Sequence, residues 1–151
     1  MKIDYAKPIE LPVRKDPQGY VLIEHVRDEA WFYIRCLKSD FEDAAYVGCL
    51  HFEGVWHVSS TRFQKLRGYP YVEGTDLMSY YLVVQNSSLL RSLTETRTAV
   101  NCDWQLYDKR RYKHWVVESH DFYTNIVAAK VSFSIVQGEK AVQCFEIWNK
   151  V

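Results

Sequence analysis

Histidine and glutamate side chains recur at alternating positions in two mainly apolar stretches of the sequence. Within each stretch three of them share one parity, so on a β-strand they would all project from the same face. Side chains two residues apart on a strand have backbones about 6.5–7 Å apart, so two of them could share a metal ion with a neighbouring strand. Imidazole with carboxylate is the ligand set of zinc, iron and manganese sites. The candidate metal ligands are His51, Glu53, His57, His114, Glu118 and His120.

A solvated sheet face is the simpler interpretation of these residues, and we favour it. Antiparallel sheets commonly present one polar face to water, where histidine and glutamate are ordinary residues. The sequence contains no H-x-H and no H-E-x-x-H motif. A small enzyme or metal-binding protein that uses this His/Glu cluster is therefore the alternative hypothesis.

Motifs for nucleophilic catalysis and for cofactor binding are absent from the sequence. It has no G-x-S-x-G and no S-x-x-K motif, and its six glycines are too dispersed for a phosphate-binding loop. Cys49 and His51 have the residue types of a thiol nucleophile and its base, but we expect a buried structural cysteine. His120 and Asp121 are adjacent, and only a turn would bring their side chains to one side. We expect no cofactor and, on balance, no enzymatic activity.

Aromatic and arginine side chains in the polar stretches have the composition of protein-interface hot spots. The residues that we expect to contact a partner are Tyr69, Tyr71, Trp104, Arg110 and Arg111. The stretch 109–114 is basic and interleaved with aromatic rings, as in some nucleic-acid-binding surfaces. However, nineteen basic and nineteen acidic residues leave no net charge, which argues against nucleic acid and against an anionic membrane. The expected partner is another protein, and an edge strand could also join two copies of the chain.

The composition favours one strand-rich domain spanning residues 1–151. A chain of this length can bury a sizeable core, and its 15% content of aromatic residues favours strands. The four cysteines lie far apart, and no apolar run approaches the ~20 residues of a membrane span. No apolar stretch follows the first residues, as a secretory signal would require. These features predict a cytoplasmic protein with free thiols.

A long alternating stretch over residues 46–63 is the clearest strand signal. Its even positions include Leu50, Phe52 and Trp56, which predicts that these three side chains lie in the core. Gly54 interrupts the alternation and predicts a bulge. The odd positions, which include three of the candidate metal ligands, are expected on the opposite face.

The other elements complete a sheet with one helix. We expect an extended N-terminal arm over residues 1–19 and one short helix over 88–98, where Asn and Ser residues precede a leucine-rich run. Strands are expected over 112–122 and 123–136, with a closing strand over 141–148. The predicted fold is α+β, with a mainly antiparallel, curved or partly barrelled sheet of roughly six to eight strands and one short helix.

The second half of the chain is similar in pattern to small bacterial domains found in toxin–immunity and other accessory gene neighbourhoods. The similarity rests on residues 86–90 before a short helix, on residues 114–117 and on residues 126–128, with residues 50–55 as a companion in the first half. It implies a protein that works by binding a partner, and it assigns no site residues. We therefore expect a non-enzymatic cytoplasmic binding or accessory protein, for example an immunity protein of a toxin system.

Overall fold

Residues 3–62 and 79–150 are described by a computed structural model, in which they form ten strands and three helices. The strands are β1 (Tyr5–Glu10), β2 (Arg14–Lys15), β3 (Leu22–Val26), β4 (Glu29–Leu37), β5 (Asp43–Glu53), β6 (His57–Arg62), β7 (Tyr80–Gln85), β8 (Lys113–Ser119), β9 (Phe122–Ala128) and β10 (Lys130–Val136). The helices are α1 (Ser88–Val100), α2 (Trp104–Tyr107) and α3 (Glu139–Asn149).

The strands form two sheets in which every described pair of neighbours is antiparallel. Sheet 1 has the order β1-β7-β8-β9-β6, and sheet 2 has the order β10-β5-β4-β2, with β3 also paired to β4. The predicted α+β class with mainly antiparallel pairing is confirmed. The predicted number of strands and the single helix need correction, since the described residues contain ten strands in two sheets and three helices.

The hydrophobic core lies between the two sheets and is built from alternate residues of the facing strands. In β5 the even positions point inward, as predicted, and Leu50 and Phe52 are both 0% exposed. Trp115 and Ile126 of sheet 1 pack into the same cluster. Full burial of one such side chain contributes about 1.5–3 kcal/mol to stability, so this layer fixes how the two sheets face each other.

Two of the points at which the chain passes from one sheet to the other, Gly54 and Ala129, are adjacent. Gly54 has a φ of 64°, and a Cβ atom there would lie 2.9 Å from the Cβ of Ala129, so only glycine fits without strain. The Ala129 N–H donates to the carbonyl oxygens of Glu53 and Gly54 at 3.1 and 3.2 Å. The predicted strand with a bulge is therefore two strands, β5 and β6, in different sheets. The predicted strand over 123–136 is divided in the same way into β9 and β10.

Helix α3 replaces the closing strand that the sequence predicted over 141–148. Its buried residues are Ala141, Cys144 and Trp148, which recur at the three- and four-residue spacing of a helix face. They pack on the outer face of sheet 2 against residues that include Tyr33 and Val47. The indole Nε1 of Trp148 also donates to the Tyr20 carbonyl oxygen at 2.6 Å. The strand prediction was wrong because a short apolar run does not distinguish a strand from a packed helix.

The N-terminal segment, which the sequence analysis expected to be extended, contributes one strand to each sheet. β1 pairs with β7 in sheet 1, and β2 pairs with β4 in sheet 2. The predicted helix over 88–98 is confirmed as α1. Within the described part of the chain, no helix is both long enough and apolar enough to cross a membrane.

Candidate functional site

Helix α1 is held at its N-terminus by polar contacts. Ser87 is the N-cap, and its Oγ accepts a hydrogen bond from the Leu90 N–H at 3.0 Å. The Asp4 carboxylate accepts hydrogen bonds from the Ser88 N–H at 2.8 Å and from the Ser88 hydroxyl at 2.7 Å. A carboxylate at this end also complements the helix dipole. None of the thirteen residues of α1 is buried, so the helix lies beside sheet 1 without sealing it.

A groove of about 660 Å³ lies between α1 and the adjoining ends of β7 and β8. A second hollow of about 240 Å³ shares Leu90, Thr94 and Tyr112 with it and continues towards Trp104. Ligand sites in proteins commonly measure roughly 300–1,000 Å³. The groove is therefore large enough for a small molecule or a short peptide. Its walls include Val83, Leu90, Arg91, Thr94, Glu95 and Lys113.

A buried chain of hydrogen bonds joins two residues that line the groove, Ser87 and His114, to Asn125 of β9. His114 Nε2 lies 2.7 Å from Asn125 Oδ1, and because that oxygen can only accept, Nε2 carries the proton. His114 Nδ1 then accepts a hydrogen bond from the Ser87 hydroxyl at 2.7 Å. Burial lowers the pKa of His114, although the hydrogen bond to Asn125 opposes this shift. The ring is thus neutral at pH 7, and it ties the start of α1 to β8 and β9.

An aromatic cluster lines the second hollow. The Trp56 ring packs against Trp104 and Tyr112 with centroid separations of 5.6 and 4.9 Å. The Arg97 guanidinium carbon lies 4.2 Å from the centroid of Trp104 and 5.1 Å from that of Trp56. Arg97 Nη1 and the Tyr112 hydroxyl both donate to Asp108 Oδ2, at 2.9 and 2.5 Å. Burial alone would raise the pKa of Asp108, but the hydrogen bonds from Tyr112 and Arg97 hold it below its usual value.

The aromatic cluster bears on two predictions from the sequence, the core position of Trp56 and the exposure of Trp104. Trp56 follows the crossover at Gly54, so it lies half-buried beside Trp104 instead of in the core between the sheets. Trp104, a predicted partner-binding residue, is only 5% exposed and donates from Nε1 to Thr98 Oγ1 at 3.0 Å. Its ring therefore shapes the hollow from within and offers little surface of its own.

The rim of the groove and its extension is mainly basic. Among the lining residues four are positively charged, Arg91, Arg110, Arg111 and Lys113, and one, Glu95, is negatively charged. Arg110 Nη2 lies 3.3 Å from Asp28 Oδ2, and Arg91 Nη2 lies 3.9 Å from Asp4 Oδ1. Arg111 and Lys113 are exposed and form no salt bridge with the described residues. The remaining predicted partner-binding residues, Tyr69 and Tyr71, lie outside the described residues.

The six candidate metal ligands do not form one site. His51 and Glu53 lie on β5 in sheet 2, where they meet Glu29 of β4. The other four lie in sheet 1 or in its β8–β9 turn: His57, His114, Glu118 and His120. Both ring nitrogens of His114 are engaged in hydrogen bonds. Glu29 was missed because the sequence does not reveal that β4 pairs with β5.

The other catalytic residues considered from the sequence have ordinary environments. Cys49 is buried, and burial raises its pKa to about 11, so its thiol stays protonated at neutral pH. A turn does bring His120 and Asp121 together, with 3.5 Å between Nε2 and Oδ2, and both side chains are partly exposed. Ser87, which lines the groove, and Asn125, which accepts the hydrogen bond from His114, were not singled out as site residues. The N-cap pattern at 86–88 is the only signal that pointed to Ser87.

Comparison with known proteins found no matching protein-family model, no matching curated protein and no matching solved structure. The function is therefore inferred from the geometry of the chain itself.

Proposed function

We propose that the protein is a non-enzymatic binding protein that takes an acidic, extended segment of a partner protein into the groove beneath α1. The observation that carries this proposal is the pairing of a helix that buries none of its residues with an open groove of about 660 Å³ along its side. Helices of globular domains usually gain their stability by burying an apolar face. Here that face stays available to a partner.

The dimensions of the groove fit a short extended segment. A helix of 13 residues, as in α1, is about 20 Å long. An extended chain rises about 3.3 Å per residue, so roughly six residues would lie along the helix. Leu90 and Val83 supply apolar contact in the wall, and the second hollow beside Trp104 offers a place for one larger side chain.

The charges of the rim indicate an acidic partner. Arg91 and Arg110 are paired with carboxylates, whereas Arg111 and Lys113 form no salt bridge with the described residues and give the rim a positive charge within a chain of zero net charge. Complementary charge at an interface speeds encounter and selects partners more than it adds affinity. We therefore expect the interaction to weaken as the salt concentration rises.

Exposed apolar side chains extend the surface beyond the groove. Val100, the last residue of α1, is 85% exposed, and Leu106 and Tyr107 of α2 are 64% and 82% exposed. Exposed apolar residues close together in the chain are typical of surfaces that contact other proteins. Neutralisation of a toxin would be one instance of such binding, and this role stays a prediction. The pairing of two copies of the chain through an edge strand also stays a prediction.

Selection from a phage-displayed library of random twelve-residue peptides tests the proposal. We expect the enriched peptides to combine Asp or Glu with apolar residues. Labelled synthetic copies should bind more weakly by several-fold when NaCl rises from about 50 to about 300 mM. The charge reversal Lys113→Glu should weaken binding at least roughly fivefold by fluorescence anisotropy. The matched reversal Lys38→Glu, on an exposed lysine outside the groove, should change it less than about twofold.

Three outcomes would contradict the proposal. The first is a selection that enriches no peptide family. The second is equal weakening by Lys113→Glu and Lys38→Glu, which would mean that the groove does not hold the peptide. The third is that an oligothymidylate of twelve nucleotides binds more tightly than any selected peptide, which would mean that the basic rim binds nucleic acid.

A further inference from the structure

The outer face of sheet 2 brings together three metal-ligand side chains from two neighbouring strands. Glu29 of β4 lies directly opposite Glu53 of β5, and Trp31 lies opposite His51. One ligand atom of each of Glu29, His51 and Glu53 lies within 4.8 Å of the other two. Within residues 3–62 and 79–150, this is the one group of three or more such side chains that converges to this degree.

We propose that Glu29, His51 and Glu53 bind a divalent transition-metal ion, for which zinc is the probe. Zinc takes nitrogen and carboxylate oxygen ligands at about 2.0–2.2 Å, which places ligand atoms about 3.5 Å apart in a tetrahedral site. No pair of these ligand atoms exceeds that separation by more than about 1.3 Å. Rotation of the partly exposed glutamate side chains is enough to close this gap, and the strands need not move.

The imidazole of His51 is already oriented for this role. Its ring stacks on the indole of Trp31 with a centroid separation of 4.9 Å and an interplanar angle of 5°. His51 Nε2 points at Glu29 Oε1, 3.1 Å away. A ring restrained by stacking and by a carboxylate loses little freedom when it binds a metal ion, so the cost of ordering the site is reduced.

The ligand types favour a transition metal over calcium or magnesium. Calcium and magnesium prefer sites made of oxygen ligands alone, whereas an imidazole with carboxylates suits zinc, manganese or iron. The three side chains are between 25% and 44% exposed, so water can fill the remaining coordination positions. Three protein ligands with an open position form an accessible centre rather than a closed structural one.

Lys130 makes it possible to distinguish a metal site from a purely structural ion-pair network. Its Nζ lies 3.5 Å from Glu53 Oε2, and its side chain is 70% exposed. In the absence of metal the ammonium group neutralises part of the negative charge that a cation would use. Metal binding therefore has to displace Lys130, and removing this lysine should tighten metal binding. A purely structural ion-pair network predicts no such gain.

Isothermal titration with zinc tests the proposal, in a Cys102→Ser background so that the exposed thiol takes no part. We expect one zinc ion per chain, with a dissociation constant on the order of micromolar. His51→Ala should weaken binding at least roughly 100-fold and Glu53→Gln at least roughly tenfold. Lys130→Ala should tighten it about threefold or more. The control His25→Ala removes another exposed histidine of sheet 2 and should leave the affinity unchanged.

Thermal unfolding without metal establishes that each variant is folded. The proposal is overturned if zinc binds with less than half an ion per chain, or if His51→Ala and His25→Ala titrate alike. Equal affinity for magnesium and zinc would also overturn it, because the imidazole would then contribute nothing. The titrations contain no peptide, so their result is independent of the groove beneath α1.

Discussion

Helices α3 and α1 lie against different sheets, and they are held there by different forces. α3 buries Ala141, Cys144 and Trp148 on sheet 2, so its attachment is mainly apolar. α1 buries none of its residues, and its attachment is the polar chain from Ser87 through His114. An apolar helix face seals the sheet below it, whereas a polar tether at one end leaves a groove. The comparison separates a helix that serves the fold from one that is available for binding.

The sequences of the two helices account for this difference. In α3 the apolar residues continue to the last turn, ending in Trp148. In α1 the leucines stop at Leu93, and the following turns carry Thr94, which lines the groove, and Arg97, which stacks on Trp104. Neither threonine nor arginine at these positions supplies the buried apolar area that would close the groove.

The largest expected difference between the two helices is the loss of unfolding free energy when one large side chain in each helix is truncated. Trp148→Ala should lower the free energy of unfolding by about 3–5 kcal/mol, because it removes a buried indole and its hydrogen bond to Tyr20. Leu90→Ala on α1 should lower it by only about 1 kcal/mol, since that side chain is half-buried. Urea denaturation monitored by circular dichroism measures both values. Equal losses would show that α1 is as firmly packed as α3.

The pH dependence of stability is expected to show a smaller effect, which is specific to the buried ring of His114. The pKa of His114 is lowered by burial, so the unfolded chain binds a proton below about pH 6.5 that the folded chain resists. Stability is therefore complete above about pH 6.5 and falls below it, by up to about 1.4 kcal/mol per pH unit for one such group. His114→Gln should flatten this slope between about pH 6.5 and pH 5.

His57 serves as the matched comparison for this measurement. Burial also lowers its pKa, but its ring is more exposed than that of His114. His57→Gln should therefore flatten the slope less than His114→Gln does. An unchanged slope in the His114 variant would contradict the account of a neutral, buried ring that tethers α1. Carboxylates whose pKa is lowered, such as Asp108, lose their contribution to stability only at more acidic pH. They therefore do not affect the slope measured for the two histidines.

Local signals in the sequence predicted local structure well. The Asn and Ser residues before the leucine run predicted α1, because a serine hydroxyl can cap the first turn, as Ser87 does. Alternation predicted the buried face of β5, since strand side chains point to opposite faces in turn. The antiparallel pairing followed from short strands joined by tight connections.

Long-range placement could not be predicted from those signals. A bulge at Gly54 was predicted, but neither Gly54 nor Ala129 showed that the chain changes sheets there, so each pair of strands looked like one. Helix α3 was taken for a strand because its apolar run is short. Glu29 meets His51 and Glu53 only through the register of β4 against β5. The sequence thus indicated two of the three proposed metal ligands but not their partner.

The affinity of a selected acidic peptide for Thr94→Trp tests the central claim most directly. Thr94 lines both the groove and the second hollow, so an indole at this position fills the space in which the peptide is proposed to lie. Val142→Trp places the same ring on an exposed position of α3. The account predicts that Thr94→Trp weakens peptide binding at least roughly tenfold, while Val142→Trp leaves it within about twofold of the wild-type value. Unaltered binding to the Thr94 variant would contradict it, because the partner would then not occupy the groove beneath α1.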